Sequence, residues 1–180
     1  MRSFRCILIA VAILSFLVVA GCSSGPAKPH TFAVGERIEL GHIVYTVFET
    51  QWMTQFGSGL DARVPQNRFF LVRLSASNSG TADVLVPGMT VVDDNGDSYT
   101  ELTDGDGVPQ WLGALRQARP AEAAQGNVAF DVPPRHYKLR ITDDSEQKAA
   151  FVDLPLTFNA GVPELSVPSP EKEPIPAGNR

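Results

Sequence analysis

The sequence predicts an all-β protein built around one antiparallel β-sandwich of seven to eight strands. Apolar and polar residues alternate with a period of two along several short segments, which is typical of half-buried strands. Turn-forming Gly, Pro, Asn and Asp residues separate these segments, and no long apolar stripe has helical spacing. Seven or eight such strands over roughly 125 residues are typical of a sandwich.

The first two predicted strands carry the clearest patterns. His42–Trp52 is rich in β-branched and aromatic residues, which favour strands. Asn67–Gly80 alternates so that one face is polar, with Arg73, Ser75 and Ser77. The opposite, apolar face consists of Phe70, Val72, Leu74 and Ala76.

A hairpin and three later strands complete the predicted sandwich. After a short strand at Val84–Val86, the hairpin tip is predicted at Asn95-Gly96, because both central positions of the turn that favours this dipeptide need positive φ. The segment Pro109–Gln125 is predicted to hold one helical turn. The later strands direct Val128, Phe130 and Val132, then Tyr137, Leu139 and Ile141, towards the core, and the last strand spans about Ala149–Phe158.

The N-terminus has the pattern of a secretory signal peptide. Arg2 and Arg5 precede the segment Cys6–Ala20, which is apolar apart from Ser15. This run is shorter than the ~20 apolar residues that a membrane-spanning helix needs, and helix-breaking residues follow it directly. Residues 1–21 are therefore predicted to be a cleaved signal, and the alternative is an uncleaved anchor helix.

The end of the apolar run, Val19–Cys22, resembles the lipobox of bacterial lipoproteins. That resemblance implies cleavage before Cys22, a diacylglycerol on its thiol and acylation of the new amino group, for instance by palmitate. Two or more acyl chains form a stable membrane anchor. In a bacterium with two membranes, Ser23 after the lipidated cysteine implies sorting to the outer membrane.

Composition divides the rest of the chain into three parts. Residues 22–34 are predicted to be a lipidated tether, and residues 35–158 the sandwich. Residues 159–180 include five prolines and few bulky apolar side chains, which predicts a disordered, Pro-rich tail.

Charge and cysteine content exclude several classes of function. Taking Arg2 and Arg5 from the 15 basic residues leaves 13 against 20 acidic ones, a formal charge of −7 that disfavours nucleic-acid binding. The sequence has two cysteines, of which Cys6 leaves with the signal and Cys22 is lipidated. The mature chain is therefore expected to have no disulfide, thiol nucleophile or cysteine metal cluster.

The order of motifs is similar to that of a known family. After the lipobox come GERIELGHIVYTVFET, RFFLVRLSASNSGTADVLV, VVDDNGDSY, GNVAFDVP and YKLRITD. This order, over Gly35–Phe158, resembles bacterial secreted lipoproteins with an immunoglobulin-like domain of unknown function, sometimes mislabelled as telomere-repeat-binding-factor-like proteins. The loop Arg119–Gly126 departs from the Pro-Gly usual in that family. The resemblance implies an immunoglobulin-like sandwich in the cell envelope and no catalytic residues.

Acidic turns are the strongest candidates for metal chemistry. Calcium binds oxygen-rich loops, but the spacing here does not match an EF-hand, and Asp and Asn favour turns through their own backbone hydrogen bonds. The turn interpretation is therefore preferred to the calcium interpretation. The calcium candidates are Asp93, Asp94, Asp97, Asp104 and Asp106.

Other reactive residue types lack the partners that chemistry needs. The three histidines, His30, His42 and His136, have no metal-like spacing, and Ser58 lacks the context of a nucleophile elbow. Trp52 and Trp111 are predicted to be core or loop residues. Recognition is expected in the loops Phe56–Pro65 and Thr103–Gln125, because sandwich loops cluster at the two ends.

Together these features predict a binding or interaction module of the cell envelope, without catalysis, cofactor or nucleic-acid partner. Its expected partners are the membrane, through the acyl chains on Cys22, and an envelope protein. The alternative is an accessory subunit of an envelope assembly that docks through the Pro-rich tail.

Overall fold

The computed structural model describes residues 30–156. The predicted signal peptide, Cys22, the Pro-rich tail and most of the tether lie outside the described residues. The described part confirms the immunoglobulin-like, all-β sandwich class, with one 3₁₀ turn at Gly59–Asp61. Its strands are β1 Thr31–Phe32, β2 Arg37–Leu40, β3 Ile43–Met53, β4 Phe69–Asn78, β5 Val84–Val86, β6 Thr90–Asp93, β7 Ser98–Thr100, β8 Arg116–Ala118, β9 Ala123–Asp131, β10 Tyr137–Thr142 and β11 Ala149–Leu154.

Two sheets form the sandwich. One has the order β1-β11-β10-β6-β7 and is antiparallel except for the β1–β11 pair, and the other has the antiparallel order β2-β3-β4-β9. Strands β5 and β8 form a separate two-stranded ribbon. The described residues hold more strands than the seven or eight expected, because segments of two to four residues are too short to show a period-two pattern. One of them, β1, lies inside the range 22–34 assigned to the tether.

The core confirms the predicted alternation. The inward-pointing residues predicted on β4, β10 and in or next to β9 are buried in one cluster, together with Ala150, Val152 and Leu154 of β11. The hydroxyl of Tyr45 on β3 donates to the carbonyl oxygen of Thr142 on β10 over 2.8 Å, which joins the two sheets. Trp52 stacks on Phe70 at 4.3 Å between ring centroids, so it is a core residue as expected.

The β6–β7 hairpin is where predicted, but its turn is of another type. Gly96 has φ of 90° and donates its N–H to the carbonyl oxygen of Asp93, while Asn95 is not among the residues with positive φ. Asp93 N–H donates to the carbonyl oxygen of Asp97, which closes a type I turn with a glycine bulge. The carboxylate of Asp93 accepts the N–H groups of Asn95 and Asp97, which favours this geometry over the two-residue turn.

Asp93 also forms an ion pair with Arg135, which lies just before β10. Its buried carboxylate accepts a hydrogen bond from Arg135 at 2.6 Å. Burial would raise the pKa of Asp93, but the hydrogen bonds from Arg135, Asp97 and Asn95 outweigh it and hold the pKa below its usual value. The hairpin is thus tied to the neighbouring strand by a charge-assisted bond.

His136 joins three strands of the same sheet. Its Nδ1 lies 3.0 Å from Asp94 Oδ1, after β6, and its Nε2 lies 2.9 Å from Asp153 Oδ1, on β11. Only the imidazolium can donate from both ring nitrogens to two carboxylates. The bond to Asp94 raises the pKa of His136; partial burial opposes this and the bond to Asp153 adds to it. We call these three residues the histidine clamp.

A buried ion pair holds the β5–β8 ribbon against the sandwich. Arg116 on β8 donates to Glu101, and only 1% of the Arg116 side chain is exposed. Arg116 Nε also donates to the carbonyl oxygen of Gly113, and Glu101 accepts the N–H of Met89. The predicted helical turn in Pro109–Gln125 is wrong: this segment holds β8 and the start of β9, because its carbonyl groups bond to neighbouring strands.

Within residues 30–156, no helix has the length and apolar character needed to cross a membrane.

Substitution of Arg116 tests the buried pair. Arg116→Met leaves the Glu101 carboxylate without its cation, and we expect a loss of ~3–5 kcal/mol in the free energy of unfolding. The double variant Arg116→Met/Glu101→Gln should recover part of this loss. Arg37→Met removes the exposed pair with Glu39 and should cost under ~1 kcal/mol. Denaturant unfolding measures all three, and equal losses for Arg116→Met and Arg37→Met would contradict the prediction.

The histidine clamp predicts a pH dependence of stability. Because the folded-state pKa of His136 is raised above its unfolded value of ~6.5, the clamp stabilises fully below that pH. Its contribution is lost as the pH rises through the folded-state pKa. Unfolding free energies measured from about pH 6 to about pH 9 should therefore fall more steeply for the natural protein than for His136→Gln. His42→Gln leaves the clamp intact and should keep the natural slope; a His136→Gln slope as steep as the natural one would exclude the clamp.

Candidate functional site

The candidate site depends on a β-bulge in β3. Val47 pairs with Leu74 and Glu49 with Arg73, so Phe48 is an extra residue without a partner on β4. Before the bulge, Tyr45 and Val47 point into the core. A one-residue insertion exchanges the faces of a strand, so Thr50 is buried beyond the bulge and Glu49 and Gln51 turn to the outer face.

On the outer face of this sheet, a polar row that contains an ion pair crosses three strands. Glu49 on β3 pairs with Arg73 on β4, and Arg73 pairs with Asn127 on β9. Arg73 Nη1 donates to Glu49 Oε1 over 3.1 Å, and both side chains are partly exposed. The sequence pattern already assigned Arg73 to the outer face, and the structure confirms it.

Towards the start of β4 the neighbouring rows of this face are largely apolar and covered, whereas on the other side Ser75 pairs with Thr46 and Gln125. Phe69 and Leu71 on β4 and Ala129 on β9 form a second buried cluster with Phe56 and Val108 from two loops. Phe56 stacks on Phe69 with 3.8 Å between ring centroids. The outer face is thus divided into a covered apolar half and an open polar half.

A loop crosses the face at this division. We call Thr103–Leu115 the strap. Leu112 N–H donates to the carbonyl oxygen of Asn127, and Asn127 N–H donates to that of Gln110, so the strap continues the sheet as a short parallel bridge to β9. The Asn127 side-chain amide donates to the carbonyl oxygen of Pro109 over 2.6 Å. Trp111 packs at the edge of the second cluster, which confirms its role as a loop residue.

Two glycines allow the strap to lie so close. A Cβ on Gly126 of β9 would stand 2.5 Å from the Gln110 carbonyl oxygen and 3.0 Å from the Leu112 backbone. A Cβ on Gly105 would stand 1.9 Å from the Trp111 ring. Neither contact is possible for a residue with a side chain, so the strap depends on glycine at both positions.

An arginine fixes the first part of the strap. Arg63 Nη1 donates to the carbonyl oxygen of Asp104 at 3.0 Å and lies 3.6 Å from its carboxylate. The guanidinium also stands over the Phe69 ring, 5.7 Å from its centroid. The loops Phe56–Pro65 and Thr103–Gln125, both expected to carry recognition, are therefore held to the same face.

A cleft lies between the strap and the polar half. It consists of two depressions of about 210 and 410 Å³ that share Arg73 and Gln110. Small-molecule sites commonly measure ~300–1,000 Å³. Glu49, Gln51 and Asn127 also line the smaller depression, over Leu71 and Pro109, and Trp111 and Gln125 also line the larger one.

The cleft has unused hydrogen-bonding capacity. Arg73 Nε is buried and has no hydrogen-bond partner among residues 30–156. The side-chain amides of Gln51, Gln110 and Gln125 are likewise not engaged by other described residues. Each amide offers two donors and one acceptor oxygen. The one cation of the cleft, Arg73, is paired with its one carboxylate, Glu49, so the cleft is polar but close to neutral.

The calcium candidates lie in two separate turns. The Asp93 carboxylate is occupied by Arg135 and backbone N–H groups, and Asp94 bonds His136. Asp104 accepts the N–H of Asp106 and faces Arg63. The described residues contain no group of three or more His, Cys, Asp or Glu side chains placed to hold a metal ion. The preferred turn interpretation and the weaker calcium alternative both stay predictions, and Cys22, the predicted lipidation site, lies outside the described residues.

The sequence predicts only part of the cleft lining. Gln110 and Gln125 lie in the loop Thr103–Gln125, which was expected to carry recognition, but Glu49 and Gln51 received no role. Their outward position depends on the bulge at Phe48, because unbroken alternation from Val47 would direct both side chains into the core. His42 lies elsewhere, 3.6 Å from Asp144, and the exposed Ser58 precedes the 3₁₀ turn.

Solved structures of the same fold are known from bacteria. The yjhA protein from Bacillus subtilis is 16% identical, with a TM-score of 0.55 over 69% of this chain and all of that chain. The secreted protein MPT63 from Mycobacterium tuberculosis is 15% identical, with a TM-score of 0.52 over 71% of this chain and 98% of that one. At these identities the likeness shows the fold alone.

Sequence comparisons identify the family. A search among curated proteins gives no significant match. The family model DUF4352, described as a domain of unknown function, matches residues 32–150, which include all the strands from β2 to β10. The matched range covers the bulge, the polar row and the strap, so the candidate cleft lies entirely within the family domain. The chain belongs to the DUF4352 family.

Proposed function

We propose that the protein is a non-catalytic binding module of the cell envelope, anchored through acyl chains on Cys22, and that the cleft beneath the strap binds its ligand. The main support for this proposal is that polar groups lining the cleft have hydrogen-bonding capacity that no other described residue uses. A buried polar group without a partner costs ~1–3 kcal/mol, so a ligand that supplies an acceptor to Arg73 Nε gains this free energy, and the exposed amides nearby can hydrogen-bond it further.

The scaffold of the cleft supports binding because it is built before a ligand arrives. Its floor is formed by β3, β4 and β9, whose pairing extends over ten and nine registered residue pairs. The strap that forms its wall is held by backbone hydrogen bonds to β9 and by Arg63. A preformed site loses less conformational entropy on binding than a mobile loop does.

The charges of the chain support the class of partner. A formal charge of −7 after removal of the signal disfavours nucleic acids and anionic lipid surfaces. The signal and lipobox support a position outside the cytoplasm, on the outer membrane where the bacterium has one. Binding without catalysis agrees with a cleft whose carboxylate, Glu49, is paired with Arg73 rather than poised as a general base.

The composition of the Pro-rich tail favours a second candidate function. Ala160–Arg180 holds five prolines and three glutamates, a composition that suits an extended contact segment. In this alternative the protein is an accessory subunit of an envelope assembly, and the tail rather than the cleft makes the contact.

Lipid attachment is tested by Cys22→Ala. We expect the natural protein to enter the detergent phase and to carry the mass of its acyl chains, and the variant to lose both properties, because the thiol is the acceptor. Ser23→Ala, which keeps the acceptor, should still be lipidated. If Cys22→Ala stays in the membrane at its full-length mass, the anchor is a helix and the proposal is wrong.

Cross-linking in the native envelope separates the two candidate functions. We expect the double variant Arg73→Gln/Gln125→Ala to lose the cross-linked envelope component, because both side chains line the cleft. Arg140→Gln/Gln117→Ala is the matched control and should retain the component. A chain without Gly161–Arg180 should also retain it. Loss in the tail deletion together with retention in Arg73→Gln/Gln125→Ala would instead support the accessory subunit.

A further inference from the structure

Resting on the proposed function, we infer that the ligand of the cleft is a neutral polysaccharide segment, bound through its hydroxyl groups. Three properties of the cleft favour this ligand: the kind of polar groups that line it, their charge balance, and the apolar surfaces beside them.

The polar groups match hydroxyls. A sugar hydroxyl both donates and accepts, and adjacent hydroxyls on a ring form pairs that a planar amide or guanidinium can bond at two points. The cleft offers the amides of Gln51, Gln110 and Gln125, each with donors and an acceptor on one plane. A ligand with only acceptors, such as a phosphate, would leave the amide oxygens without donors, and a ligand with only donors would leave Arg73 Nε unsatisfied.

The charge balance excludes a strongly charged ligand. Arg73 is the one cation lining the cleft, and Glu49 lies 3.1 Å away. An anionic ligand would have to displace Glu49 or approach it, and it would also meet the negative field of the whole chain. A cationic ligand would meet Arg73. The paired charges therefore act as hydrogen-bonding groups, and the cleft best fits an uncharged polar ligand.

Apolar surfaces complete the match. Trp111 lines the larger depression, and Pro109 and Leu71 line the smaller one. Sugar rings present flat C–H faces beside their hydroxyls, and an amphipathic aromatic ring such as that of Trp packs well against such faces. Gly105 lies against the Trp111 ring and fixes its position. The two depressions share Arg73 and Gln110, so consecutive rings of one chain can occupy them.

The test measures binding of defined glycans to the full-length protein purified in detergent. The probes are immobilised neutral oligosaccharides of glucose, mannose, galactose and N-acetylglucosamine, with uronate and sulfated oligosaccharides beside them. We expect binding to at least one neutral series, with little dependence on salt. Arg73→Gln and Gln125→Ala should each weaken it at least tenfold, because each removes a two-point contact.

Matched variants keep the test specific to the cleft. Arg140→Gln removes an arginine from a strand of the other sheet, and Gln117→Ala removes a glutamine that bonds Asp83 outside the cleft. Both should bind as the natural protein does. Thermal melting of every variant checks that the fold is intact, and the fluorescence of Trp111 should change on titration with a bound oligosaccharide but not in Trp111→Phe.

The outcomes separate the ligand class from the proposed function. Binding to anionic oligosaccharides alone, or neutral binding that Arg73→Gln and Gln125→Ala leave unchanged, would overturn the inference. If no oligosaccharide binds while cross-linking in the envelope still depends on Arg73 and Gln125, the ligand class is wrong and the proposed function stands. If cross-linking is also independent of these residues, both fail.

Discussion

The bulge at Phe48 is the constraint on which the candidate site depends. A regular β3 would direct Glu49 into the core and leave the outer face without a partner for Arg73. One inserted residue exchanges the two faces of β3. The first half of the strand therefore packs Tyr45 into the core, and the second half also contributes side chains to the cleft. The cost is an interrupted ladder and an exposed Phe48, 43% of whose surface is accessible.

The same division between core packing and the candidate cleft recurs across the outer face. Where the rows are apolar, loops cover them and stacked rings such as Phe56 and Phe69 stabilise the covering. Where the row is polar, the strap passes beside it and leaves it open. The strap therefore serves both halves, since Val108 contributes to the buried cluster while Gln110, two residues later, lines the cleft.

The sequence predicts the sandwich well, because alternation along β4, β9 and β10 follows directly from burial of one face. It predicts the site poorly. A bulge changes the phase of alternation without changing composition, so a regular strand pattern places Glu49 and Gln51 on the inner face, where the structure does not have them. The helical turn predicted for Pro109–Gln125 is absent, because docking of this segment depends on long-range bonds to Asn127 rather than on local pattern. The hairpin at Asn95-Gly96 was located correctly but given the wrong turn, since the Asp93 side chain selects the geometry.

Because the strap lies so close to β9, the residue at one position of β9 predicts which family members can carry a strap of this kind. The position opposite Leu74 on β9 is occupied by Gly126, and a single methyl group there would collide with the strap backbone. A DUF4352 sequence with any other residue at this aligned position must carry its corresponding loop elsewhere. One column of an alignment can thus divide the family into members with a walled cleft and members with an open sheet face.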